Sequence, residues 1–86
     1  MSKDETIYIG KKPVNNYVMA GLKVVGDHGS VTLKARGRTI SHAVDVAEVL
    51  KRTLSLNVKS IDIGTEVFTD DDGKRNVSTI AICLTK

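Results

Sequence analysis

The sequence predicts an α/β domain, a two-layer α+β sandwich with two helices on a four-stranded sheet. The element order is β-α-β-α-β-β, and the last two strands form a projecting hairpin arm. Three observations predict it. Residues 30–37 alternate strictly between apolar and polar, two other stretches repeat apolar residues at helical spacing, and an Asp-Gly turn signal divides the C-terminal third into two strand-like runs. At 86 residues the chain has room for one domain, 1–86, and one core, with residues 1–5 as a flexible N-terminus.

Thr6 to Ile9 is a short β-type segment closed by Gly10. Pro13 suits a helix's first turn, where its missing N–H is no loss. Val14, Tyr17, Val18, Leu22 and Val25 follow at helical spacing, and Gly26 is the expected stop. Gly21, inside that helix, is either a close-packing point or a local weakness.

In the alternating strand Val31, Leu33 and Ala35 point one way, and Thr32, Lys34 and Arg36 the other. Thr39 or Ser41 is positioned to cap a second helix, with apolar positions Ile40, Ala43, Val44, Ala47, Leu50 and Leu54. Val46 and Val49 widen that stripe and are expected at a second contact surface, between subunits. A long strand over Val58 to Thr69 holds Ile61, Ile63 and Val67 in phase, and Asp72-Gly73 is the hairpin turn. The strand from Asn76 to Thr85 is apolar on both faces, which places it inside the sheet.

The lone Cys83 permits no intramolecular disulfide and favours a reducing, intracellular setting; it reads as a small core residue. No apolar run reaches membrane-spanning length and the N-terminus is unlike a signal peptide, so a soluble cytoplasmic protein with no membrane association is expected. No catalytic constellation is found. His28 and His42 have no glycine-framed serine near them, and one cysteine with two distant histidines offers no zinc spacing. Asp70-Asp71-Asp72-Gly73 lacks the ligand spacing and closing glutamate of a calcium loop. The expectation is therefore no enzyme, no metal and no cofactor.

The positive charge is unevenly placed. Between Thr6 and Val44, six cations face the single acid Asp27; between Asp45 and Lys86, six face seven acids. A basic first half beside a balanced second half suggests a surface for polyanions. Lys11 and Lys12 stand at a strand–helix junction, where free amides and the helix dipole already favour an anion. Lys34 and Arg36 share a strand face, about 6.6–6.8 Å apart along it, similar to the spacing of successive phosphates. Arg38 follows in the turn. With the first two strands side by side these five cations share one edge of the sheet; an ion pair locking them to carboxylates counts against the reading. Lys74 and Arg75 are secondary contacts, weakened by the three aspartates of a tip that is net negative.

The segments Ile9-Gly10-Lys11-Lys12-Pro13-Val14, Asn16-Tyr17-Val18, Lys34-Ala35-Arg36-Gly37-Arg38, Ile40-Ser41, Ala43-Val44-Asp45 and Val77-Ser78-Thr79-Ile80 resemble the Alba family of archaeal chromatin proteins, over almost the whole chain. The resemblance implies a mixed sheet of order 1-2-4-3 with the last strand antiparallel to the others, and a homodimer whose basic body carries two hairpin arms reaching along the minor groove. It implies low-specificity binding of double-stranded DNA, and of RNA, in chromatin organisation or gene regulation, with the protein at the chromosome or nucleoid. Lys11 and Lys12 fall on the family's central lysine pair, and Lys34, Arg36 and Arg38 on its second basic cluster. Lys11 matches the lysine associated with reversible acetylation, which implies an acetyltransferase or deacetylase as partner. His42 stands where a lysine is common, which makes one nucleic-acid contact pH-dependent. Leu54 takes a position often aromatic in members that join dimer to dimer, so it is the dimer–dimer contact candidate. These departures, with the acidic tip, weigh against dense cooperative coating. Two rival readings remain at this level: a mainly RNA-binding or RNA-stabilising protein, and a protein-interaction module for an acidic partner.

Overall fold

The computed structural model describes residues 5–86; of the flexible terminus expected over residues 1–5, positions 1–4 lie outside the described residues. Glu5 accepts a hydrogen bond from the Ser30 hydroxyl at 3.0 Å. Strand β1 (Thr6–Tyr8) leads through the Gly10–Pro13 loop into helix α1 (Val14–His28). Strand β2 (Ser30–Arg36) is followed by one 3-10 turn (Gly37–Thr39) and helix α2 (Ile40–Leu54). Strands β3 (Asn57–Asp70) and β4 (Gly73–Thr85) complete the chain.

The sheet order is β1-β2-β4-β3, with β1 parallel to β2 and β4 antiparallel to both its neighbours. The doubly apolar strand does lie inside the sheet. Both helices cover one face, packing on β2 and β4. Leu33, Leu50, Leu84, Val25, Val31 and Val46 are the largest side chains sealed in that layer. Each contributes about 1.5–3 kcal/mol by leaving water.

Gly21 is a close-packing point. A Cβ there would come within 2.5 Å of the Leu50 side chain, so the missing side chain lets α1 and α2 approach. Helix α1 does not stop at Gly26. It runs to His28 and ends on Gly29, whose φ of 82° is the left-handed conformation that closes a helix. Gly26 has apolar neighbours in phase and nothing to terminate the ladder.

Two positions of α2 exchange roles. Val46 is sealed in the core and Val49 is half-buried against it, so neither is a surface for a second subunit; Val44 is exposed instead. The stripe 43, 46, 47, 50 has the i, i+3, i+4, i+7 spacing of one helix face, and 44 falls off it.

The hairpin also differs in detail. The two turn residues are Asp71 and Asp72, with Asp70 opposite Gly73, so the turn sits one residue earlier than the Asp-Gly signal. Neither aspartate has positive φ; that burden falls on Gly73, at 116°. Asp70 Oδ1 fixes the bend by accepting the Asp72 N–H at 2.9 Å. Strand β4 therefore begins three residues earlier than Asn76.

Strand β2 pairs with β4 only from Thr79 to Thr85, whereas β3 follows β4 down to Gly73. The stretch Thr65–Ser78 consequently leaves the body as a two-stranded arm, and the molecule is 44 Å long against 26 and 18 Å across.

Candidate nucleic-acid interface

Parallel pairing of β1 and β2 places Tyr8 opposite Lys34, and the Ile9 N–H donates to the Lys34 carbonyl at 2.8 Å. The two strands end together. The Gly10–Pro13 loop and the Gly37–Thr39 turn therefore emerge from neighbouring strands at one end of the sheet. In register with that end lie Thr79 on β4 and Gly64 on β3, where the arm begins. Lys11, Lys12, Arg36 and Arg38 thus converge, and the arm carrying Lys74 and Arg75 leaves from the same end.

The loop itself is built around one side chain. The Tyr17 hydroxyl, one helical turn into α1, accepts the Gly10 N–H at 2.9 Å and the Lys12 N–H at 3.1 Å. The expectation of free amides beside the lysine pair is corrected in part: two of them are already bonded within the protein. Lys11 and Lys12 are both exposed.

The face of the sheet turned away from the helices is open. It forms a trough of about 670 Å³ whose lining includes Tyr8, Lys34, Arg36, Asp62, Gly64 and Glu66. Tyr8 is 73% exposed there. Cys83 also faces this side, half-buried between Thr32 and Ser60, rather than lying in the core.

Arg36 is the exception among the five expected cations. It reaches across β4, donating from Nη1 to Glu66 Oε1 at 3.1 Å, with its guanidinium 5.3 Å from the centre of the Phe68 ring. Arg75 approaches the same ring, at 5.8 Å. Both partners of the Arg36–Glu66 pair are more than half exposed, so the pair is weak and exchangeable. Among the described residues, Lys11, Lys12, Lys34, Arg38, Lys74 and Arg75 form no ion pair, whereas Lys23 meets Asp27 at 3.5 Å. The condition that would count against the patch is met at one position of five.

His42 is half-buried in the first turn of α2, and Leu54 is half-buried against the core at the helix's far end. Helix α2 starts where the 3-10 turn ends: the Thr39 hydroxyl donates to the Arg36 carbonyl at 2.9 Å and accepts its N–H at 3.4 Å. These bonds hold the turn that carries Arg38. Sequence reasoning missed the roles of Tyr17, Glu66 and Phe68, all set by contacts with residues distant along the chain.

On the helix side, β3 is left uncovered. Ile61 and Ile63 stand opposite Ile82 and Ile80, yet are 55% and 82% exposed, and Val67 is also exposed. No helix among the described residues is long and apolar enough to cross a membrane.

The sequence model of the Alba family matches residues 5–65. The DNA/RNA-binding protein Alba of Methanoculleus marisnigri is 46% identical over 88 aligned positions, which cover 99% of this chain and 97% of that protein. The DNA/RNA-binding protein Alba 1 of Archaeoglobus fulgidus is 43% identical, covering 96% of this chain and 97% of the relative. The solved structure of Alba from Thermoplasma volcanium superposes with a TM-score of 0.85 at 38% identity, covering 94% of this chain and 99% of that one. With family model, whole-length relatives and fold in agreement, the chain belongs to the Alba family.

Proposed function

We propose that the protein binds nucleic acid without catalysing a reaction, gripping the phosphate backbone of double-stranded DNA, and of RNA, with low sequence preference. The observation that carries the reading is the convergence of the Lys11-Lys12 loop and the Arg36–Arg38 turn at the end of the sheet from which the arm departs. The names of the curated relatives, DNA/RNA-binding proteins, support it. Lysines and arginines on separate elements neutralise phosphates and release counterions, an interaction that reads backbone rather than base.

The working unit is a homodimer. The uncovered side of β3, with Ile61, Ile63 and Val67 in water, supports a partner surface, and pairing two copies doubles the cationic ends. Lys34, Lys74 and Arg75 add outer contacts, and His42 a minor one; Leu54 is the candidate for contact between dimers. The exposed Lys11 is the candidate for acetylation, which would remove one phosphate contact. A place on the archaeal chromosome, in chromatin organisation or gene regulation, follows from this reading.

Affinity measured over a salt gradient tests it. With about 4–6 phosphates neutralised per dimer, log K against log salt falls with a slope of roughly −4 to −5 on duplex DNA. A flat response would refute phosphate binding. Competition between duplex DNA and folded RNA at equal salt ranks the two ligands, and preference for RNA would assign the protein to RNA.

A further inference from the structure

We propose that Tyr17 is the positioning residue of the phosphate-binding loop, an inference that rests on the lysine pair contacting phosphate. A phenol oxygen has two acceptor positions and one proton. Both acceptor positions of Tyr17 are filled from the loop, by the Gly10 N–H at 2.9 Å and the Lys12 N–H at 3.1 Å. These donors flank Lys11, so the backbone on either side of that lysine is tied to one atom. The atom is itself held: Tyr17 lies in α1 with its ring half-buried against the core, and the Asn16 N–H closes the first helical turn on the Pro13 carbonyl at 3.0 Å. The loop is too short for regular pairing of its own, and Pro13 supplies no N–H. Tyr17 takes the place of a strand partner.

Two consequences follow from the geometry. Lys11 and Lys12 leave the backbone in fixed directions, so less chain entropy is lost when they close on phosphates. The phenol proton cannot point toward the two donors and is directed away from them. It is an uncharged donor within a few residues of two cations, suited to a phosphate oxygen. Gly10 belongs to the same device: a Cβ there would stand 3.1 Å from the Tyr17 oxygen and push on it.

Tyr17→Phe keeps the ring and removes the latch. The expected result is a loss of about five- to twentyfold in affinity for duplex DNA at fixed salt, the size of one or two hydrogen bonds. Thermal unfolding should stay near that of the unsubstituted protein, while the amides of Gly10 and Lys12 exchange hydrogen faster. Gly10→Ala, which leaves the hydroxyl in place, should weaken binding in the same direction. Unchanged affinity in Tyr17→Phe overturns the inference, as does unchanged exchange of the two amides. Lys11→Ala with Lys12→Ala is the separate control. If that pair binds DNA as the unsubstituted protein does, the phosphate reading of the lysines fails, while amide exchange still reports whether the latch exists.

Discussion

Arg36 and Glu66 are thirty residues apart in sequence and joined at 3.1 Å across strand β4, so that the most central arginine of the basic end is partly neutralised from the root of the arm. Phosphate must compete with this carboxylate for the guanidinium. Glu66→Gln releases Arg36 without changing side-chain shape. Affinity for duplex DNA is expected to rise about two- to fivefold, the scale of an exposed ion pair. The salt slope should steepen by about 0.9 for each arginine released. Titrations at three or more salt concentrations measure both, and an affinity that falls would show that Glu66 holds Arg36 in its binding position.

Lys11→Ala with Lys12→Ala should lower DNA affinity by more than about tenfold at physiological salt and flatten the salt slope by nearly two. Both side chains are exposed and form no ion pair among the described residues, so stability should change by less than about 0.5 kcal/mol for each. Fluorescence anisotropy and a thermal melt on the same sample check the two halves of the prediction.

Gly21→Ala tests the helix–helix contact. The added methyl group meets Leu50 inside a sealed layer, and overpacking of this kind costs about 1–3 kcal/mol. In a domain of this size that lowers Tm by about 4–8 °C per kcal/mol. Calorimetry reads it directly. A neutral result would mean that α1 shifts on α2 without resistance.

Ile63→Asp places a charge on the uncovered side of β3, where Ile63 is 82% exposed in the single chain. Folding of the monomer should be little affected. Sedimentation equilibrium should show the unsubstituted protein near twice its 9.3 kDa chain mass and the variant shifted toward one chain. DNA affinity should fall with it, because one cationic end replaces two.

Much of this architecture is legible in local pattern. The alternation over Val31, Leu33 and Ala35 fixes a one-sided strand, and the doubly apolar Ile80–Leu84 stretch points to an interior one; both follow from side-chain periodicity alone. Val44 and Val46 are not separable that way, since both are apolar and only the packing of α2 on the sheet decides which is sealed. Gly26 and Gly29 pose the same problem: either can end a helix, and the ladder continues until its neighbours cease to bury. The cationic residues of the site were visible as residue types. Their partners were not, because Glu66 reaches Arg36 only through the register of β3 on β4, and Tyr17 reaches Gly10 and Lys12 only once α1 folds back over the loop. Propensity carries no information about either.

Strand β4 is continuous from the arm into the body, yet its two halves live in different surroundings: Ile82 and Leu84 are sealed beneath the helices, while Lys74 to Asn76 have one neighbouring strand and water on both faces. Opening of the outer half costs only a few interstrand bonds, and opening of the inner half requires unfolding the domain. A single strand therefore carries a gradient of rigidity along its length, with a stiff root and a compliant tip. Such an arm can follow grooves of differing width while its base stays fixed in register with the body.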